Sequence, residues 1–441
     1  MCSRLAVPTR TGHEISMSPG PFPLRPALAA ALVCAAATAQ AQQVRFDDVI
    51  RNLRHPDPKV RLASVQLLRE SKYPEAIGPV APLVNDPVDQ IQLEAITTEL
   101  SFFLAQDIPS KKRLGYVVEV RNPAHAQAAF DMGTLALEAR VAPPDLIDAL
   151  LKAIDDDNPK VRSEAVYTLG TIARSPLSES QASLLIKALD HYDPAIRAAA
   201  ARVTGRLSVS NAADALIHAI NDSQPPVRYA AMRSLGLIGE RRAIQALNEQ
   251  LKFYAKGEGA WSALDALARI ADSSSVPLFK VRLTDKDPFL RRAAAEGLGR
   301  AQDSSELSAL QVGAGNDPSE MVRAAMAFAL QKLGRNYIPR LVESLDSEKM
   351  ASQIGEYLLE LGPSIAPALV SHLQDPSPAI RGNVATVLGA VGDAATVTAL
   401  QPLTGDKDRT VAQSATRAID RIKHRAHLPR SPPSEHAGTV A

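Results

Sequence analysis

Along most of this chain apolar side chains recur at three fixed places around a repeating position: one before it, three after it and seven after it. Val161, Ala165 and Leu169 stand in this way around Arg162. The spacing is that of an amphipathic helix with one buried stripe. A second apolar run precedes each such helix, as at residues 145–154, 183–189 and 365–373. The pattern therefore predicts pairs of antiparallel helices joined by short turns. One pair cannot bury its own apolar face, so the pairs must stack on one another into a solenoid.

The register is set by the block Asp156-Asp157-Asn158-Pro159-Lys160-Val161-Arg162. With its Arg as index, equivalent positions are Arg61, Gln92, Ala126, Arg162, Arg197, Arg228, Ala260, Arg291, Arg323, Ser352, Arg381 and Ala412, at steps of 29 to 36 residues. A Pro three before the index and an Asp six before it mark the same register independently, the Asp reaching even the weak repeats at Ser352 and Ala412. Asp57, Asn122, Asn158, Asp193, Asp287 and Ser377 directly precede the Pro, so each is placed to cap free N–H groups while Pro fills the first turn. Gly170, Gly205, Gly236, Gly299 and Gly389 follow eight after the index, where small size lets helices approach closely.

On these residues the sequence resembles the HEAT-repeat family, in particular its bacterial phycobilin-lyase-like branch with the pattern D-x-x-P-x-V-R-x-x-A-x-x-x-L-G. The resemblance runs over roughly residues 45 to 425. It implies an all-α, right-handed α-solenoid of about twelve HEAT-like helical pairs. It says little of function, since family members include scaffolds, adaptors and some enzymes. The Arg is missing at Gln92, Ala126, Ala260 and Ser352, and the connection carrying Lys111-Lys112-Arg113 is the least regular, so a loop or distortion is expected there. Stacked at 8–10 Å per layer, an extended solenoid of this size would be roughly 100 Å long.

Composition adds the compartment. Arg4, Arg10 and Arg25 precede the apolar run Ala27 to Ala37, and Ala39-Gln40-Ala41 follows as a small-x-small cleavage site. Residues 1–41 read as a cleavable signal peptide, 42–430 as the solenoid and 431–441 as a disordered tail, which makes the protein periplasmic or secreted. Translation from Met1 or from Met17 suits this reading equally. Both cysteines, Cys2 and Cys34, fall in the removed segment. The apolar run is shorter than the ~20 residues that span a bilayer, so no membrane insertion is expected after cleavage. The whole chain carries a net charge of +1, which gives no field to draw in nucleic acid. The basic end, Arg417, Arg421, Lys423, Arg425 and Arg430, is expected to complement the last helix's negative terminus and stay solvated.

Candidate chemistry is sparse. Di-iron hydroxylases of the family carry repeated His-Glu pairs, whereas His13-Glu14 is the one such dipeptide here and lies in the signal segment. The other histidines share no repeat position, and Walker-type and Gly-x-Ser-x-Gly motifs are missing. No catalytic, metal or cofactor residues are therefore assigned, and no cofactor is expected. On a helical wheel the index Arg lies about 30° from the buried direction, which predicts partly buried Asp–Arg pairs between repeats rather than a functional row. The position five after the index lies about 170° away and the position one after about 130° away, outward on the face that lines the concave surface in this family. These rows place Arg202, Tyr229, Arg233, Trp261 and Arg292 on consecutive central repeats, residue types that dominate protein interfaces. Trp261 has a second reading, as a space-filler in a repeat that lacks its Arg. The function expected is an exported, non-catalytic scaffold that binds an unidentified protein through its concave helix face. The alternative is an enzyme or pigment-handling protein of the phycobilin-lyase-like or hydroxylase-like type.

Overall fold

The structure, a computed structural model, describes residues 45–104, 137–138 and 140–427. The chain forms two compact units, Met1–Val49 and Ile50–Ala441. What is described of the first is the opening of the helix Phe46–Asn52, and the repeats belong to the second. The signal segment with Cys2, Cys34 and the Ala39–Ala41 site, the index position Ala126 with its cap Asn122, and the tail 431–441 all lie outside the described residues.

The second helices of successive pairs form one continuous stack. They are α1 (Pro58–Ser71), α2 (Asp89–Phe103), α3 (Pro159–Ile172), α4 (Pro194–Arg206), α5 (Pro225–Ile238), α6 (Gly257–Ile270), α7 (Pro288–Arg300), α8 (Glu320–Lys332), α9 (Ala351–Leu361), α10 (Pro378–Val391) and α11 (Arg409–His427). Each packs on the next, and outer helices such as Pro144–Ala153 and Val276–Arg282 cover the other side. The local signals act as the sequence predicts. Asp57, Asn158, Asp193 and Asp287 each accept the N–H two residues on, Ser377 accepts that of Ile380, and Pro occupies the first turn. The core is the repeated stripe, with Val161, Ala165 and Leu169 fully buried and the same positions filled by Leu290, Ala294 and Leu298 on α7.

Eleven inner helices are present among the described residues, with α2 packed directly on α3, and the index position Ala126 lies outside them. At the end of α2 Leu104 bridges Leu137, and the Glu138 N–H donates to the Phe103 carbonyl at 2.9 Å. The stack also does not run straight. Arg421 on α11 donates through Nη2 to the Leu137 carbonyl at 2.5 Å, so the last helix reaches back to the α2–α3 region. The basic end is thus not simply solvated, and Arg425 caps the Ala390 and Gly392 carbonyls at the end of α10 rather than its own helix.

The reason for the bend is the size of the residues between inner helices. A Cβ on Gly236 would stand 2.6 Å from the Ala266 Cα, and one on Gly299 equally close to that of Ala329. Backbones of neighbouring inner helices thus approach closely, which narrows each layer on that side into a wedge.

Candidate functional site

The index arginines are built into the turns. Arg61, Arg197, Arg291 and Arg381 form two-bond forks with Asp86, Asp222, Asp317 and Asp406, at 2.8 to 3.0 Å through Nε and Nη2. In each case Nη1 turns back to the carbonyl six residues earlier, at 2.8 to 2.9 Å. The same Asp accepts the N–H two residues beyond itself, as Asp222 does from Gln224 at 2.8 Å. One Asp–Arg pair therefore ties a turn to itself and to the preceding layer. Departures are filled in place. Gln92 donates to Asp156, on the turn before α3, at 2.8 Å, Arg162 faces His191 and takes Asp193 at 3.1 Å, and Arg228 meets the Tyr254 hydroxyl at 2.5 Å. The row is structural, as the wheel predicts.

The five predicted binding residues do not share one environment. Arg202 lies half-buried against Tyr167, whose phenol is pushed up by burial and pulled partly back by the Arg202 charge. Arg233 pairs with Glu258 at 3.3 Å. Tyr229 meets Tyr254 edge-on with ring centres 5.5 Å apart. Trp261 is neither free nor core. Its indole N–H donates to Asp287 at 2.7 Å, and its ring stacks on Phe289 at 4.1 Å, so it leans toward the next turn in the repeat that lacks its Arg.

Arg292 overturns the expectation that all five point outward without a structural role. It binds Asp265 at 2.6 and 2.8 Å and Glu296 at 2.8 Å. Glu296 also accepts from Arg300 at 3.0 Å and from the Tyr357 hydroxyl at 2.5 Å, and Arg300 forks onto Glu360. Phe328 stacks on Tyr357 at 4.4 Å beneath the Arg300 guanidinium. Burial alone would raise the Glu296 pKa, but Arg292 and Arg300 hold it well below the ordinary range. Burial raises the Tyr357 pKa, and the Glu296 charge raises it further. Glu296, Phe328 and Tyr357 come from the supposedly outward row, yet are 3%, 0% and 4% exposed. Glu296 on α7 and Tyr357 on α9 are two layers apart, so the wedge-shaped stack has folded this stretch of the concave row onto itself. Each charged group in it is paired, and the cluster holds curvature rather than offering a ligand site.

Surface aromatic residues missed in the sequence stand at the turns beside Tyr229 and Trp261. Tyr192 and Phe253 are each 75% exposed, and Phe289 is 38% exposed. Helix periodicity does not register them, because they sit in the turns and at helix ends. Together with Tyr229 and Trp261 they give four successive turns an aromatic corner next to the concave face, flanked by Arg202 and Arg233. Among the described residues no group of three or more His, Cys, Asp or Glu side chains could hold a metal ion, and no helix is long and apolar enough to cross a membrane.

A family profile described as HEAT repeats matches residues 182–252, 256–331 and 336–429, and a HEAT repeat profile matches 146–175. No curated protein matches the chain. Three solved structures are similar to parts of it. The complex of CpcE and CpcF of phycocyanin lyase from a Nostoc species is 21% identical, covering 56% of this chain and 96% of that one with a TM-score of 0.38. An engineered protein is 17% identical over 85% and 98%, with a TM-score of 0.37. Human deoxyhypusine hydroxylase in complex with glycerol is 20% identical over 64% and 97%, with a TM-score of 0.27. None of the three likenesses is close enough to carry an argument about activity.

Proposed function

Because the chain belongs to the HEAT-repeat family, a class of stacked helical scaffolds, we propose that it is a non-catalytic scaffold that holds another protein outside the cytoplasm. The contact surface is the corner between the concave face and the turns of the four central repeats. The observation that carries this reading is the run of aromatic side chains on consecutive turns, with Tyr192 and Phe253 largely in solvent. Burying an aromatic side chain of this kind stabilises a complex by about 1.5–3 kcal/mol, so a few in line suffice for a specific contact. Arg202 and Arg233 flank the row and supply polar contacts. Arg292 drops out of the binding set, since its donors are engaged within the chain. The basic, apolar and small-residue order of residues 4–41 supports export.

The test places a photo-crosslinking residue at position 192, 253 or 289, and at Val281 on the opposite, outer helix, which is 70% exposed. Crosslinking in intact cells followed by mass spectrometry should give the same partner from the three turn positions and not from 281. Crosslinks from 281 alone, or unrelated products from each turn position, would refute this surface.

A further inference from the structure

At one rung of the arginine ladder no side chain among the described residues closes the Nε/Nη2 fork, whereas even Arg228 has the Tyr254 hydroxyl there. Arg323 on α8 sets its Nη1 on the Asp317 carbonyl at 2.7 Å, the same anchor that fixes Arg61, Arg197, Arg291 and Arg381. In those four, the anchor presents the Nε/Nη2 edge to the next turn, where an Asp closes the fork. The residue in register for Arg323 is Asp346, but Asp346 accepts instead from the Ser377 hydroxyl at the cap of α10. Among the described residues the Arg323 side chain makes no ion pair, and the Asp317 carbonyl bond is its one hydrogen bond.

A cavity of about 240 Å³ lies at this rung. It is lined by Glu320, Arg323 and Ala324 of α8 and by Arg340, Glu343 and Ser344 at the neighbouring outer helix Ile338–Glu343. Arg340 and Glu343 engage each other at 3.2 Å, which leaves Arg323 as the cation with unused donors. The chemistry selects among anions. A planar carboxylate matches the two parallel donors of a guanidinium edge. A phosphate dianion would bring twice the charge against Glu320 and Glu343, and a halide has no second acceptor for the fork.

We propose that this rung binds a carboxylate from outside the chain, taking the place that an Asp holds at those four rungs. Its source is either an acidic side chain of a bound polypeptide or a free carboxylic acid, and the experiment separates them. In the ¹⁵N-labelled full-length protein the Arg323 Nε–H resonance is assigned by its loss in Arg323→Lys. That variant keeps the positive charge but not the fork. The protein is then titrated at constant ionic strength with acetate, with the blocked peptide acetyl-Gly-Asp-Gly-amide, and with its Asn counterpart.

Saturable shifts with acetate and with the Asp peptide, none with the Asn peptide and none in Arg323→Lys, are the expected result. Binding of the Asp peptide about tenfold tighter than acetate assigns the rung to a polypeptide side chain, and equal binding assigns it to a free acid. Absence of any saturable shift overturns the proposal. So does a wild type that is silent while Asp346→Ala binds, because Asp346 would then fill the rung in solution.

Discussion

Arg197→Ala and Arg323→Ala remove the same side chain from the same register position, yet their costs should differ severalfold. Arg197 makes two bonds to Asp222 at 2.8 and 3.0 Å and two to the His191 and Tyr192 carbonyls at 2.8 and 3.2 Å. Both members of the pair are largely enclosed, at 15% and 13% side-chain exposure. Truncation leaves a half-buried carboxylate without its main donor and opens two turn carbonyls, which costs about 2–4 kcal/mol. Arg323 gives up a single carbonyl bond, so its loss costs about 0.5–1.5 kcal/mol.

The pH dependence supplies a second check. Burial raises the Asp222 pKa, but the Arg197 hydrogen bond and the Gln224 N–H together bring it below the ordinary value of 3.8. The stability this provides is present above 3.8 and is lost as pH falls through the depressed folded value. In Arg197→Ala the burial remains and the chief donor is gone, so the carboxylate moves upward and penalises the fold as pH rises. The gap between wild type and Arg197→Ala should therefore be widest near pH 7 and narrow toward pH 3. Urea unfolding followed by far-ultraviolet circular dichroism reads both quantities. Fluorescence of the single Trp, Trp261, reports whether the central repeats melt with the rest, since solenoids can unfold in parts. Equal costs for the two variants, or a gap that widens in acid, would refute the ladder argument.

Three further outcomes are expected. Glu99 is fully buried on α2 where most other repeats place Leu or Ile, and among the described residues neither carboxylate oxygen has a hydrogen-bond partner; burial pushes its pKa up. Glu99→Leu should raise urea stability by about 1–3 kcal/mol. Its advantage should grow as pH rises past the ordinary carboxylate value of 4.5, and a destabilised variant would show that the carboxyl has a structural role. Arg292→Ala, which strips Asp265 and Glu296 of a partner, should cost about 3–5 kcal/mol, whereas Arg233→Ala, with its half-exposed pair, should cost under about 1 kcal/mol; reversed melting temperatures would restore Arg292 to the open surface. Mass spectrometry of protein from the cell envelope should find Gln42 as the amino terminus, and an intact start at residue 1 or 17 on cytoplasmic protein would rule out export.

Features decided within a few residues were legible in the sequence. The Asp or Ser cap, the Pro behind it and the core stripe around Arg162 act inside one turn and one helix, so their types and spacing suffice. The partner of the index Arg was also legible, because the Asp six before the next index repeats in register at Asp86, Asp222, Asp317 and Asp406. The environment of the outward row was not. A wheel treats each helix alone, and it places Glu296, Phe328 and Tyr357 in solvent, whereas the stack buries all three. Gly236 against Ala266 and Gly299 against Ala329 each narrow one layer slightly. Only their sum over several layers brings α9 onto α7 and carries Arg421 back to Leu137, since curvature is a property of accumulated interfaces that no single repeat contains.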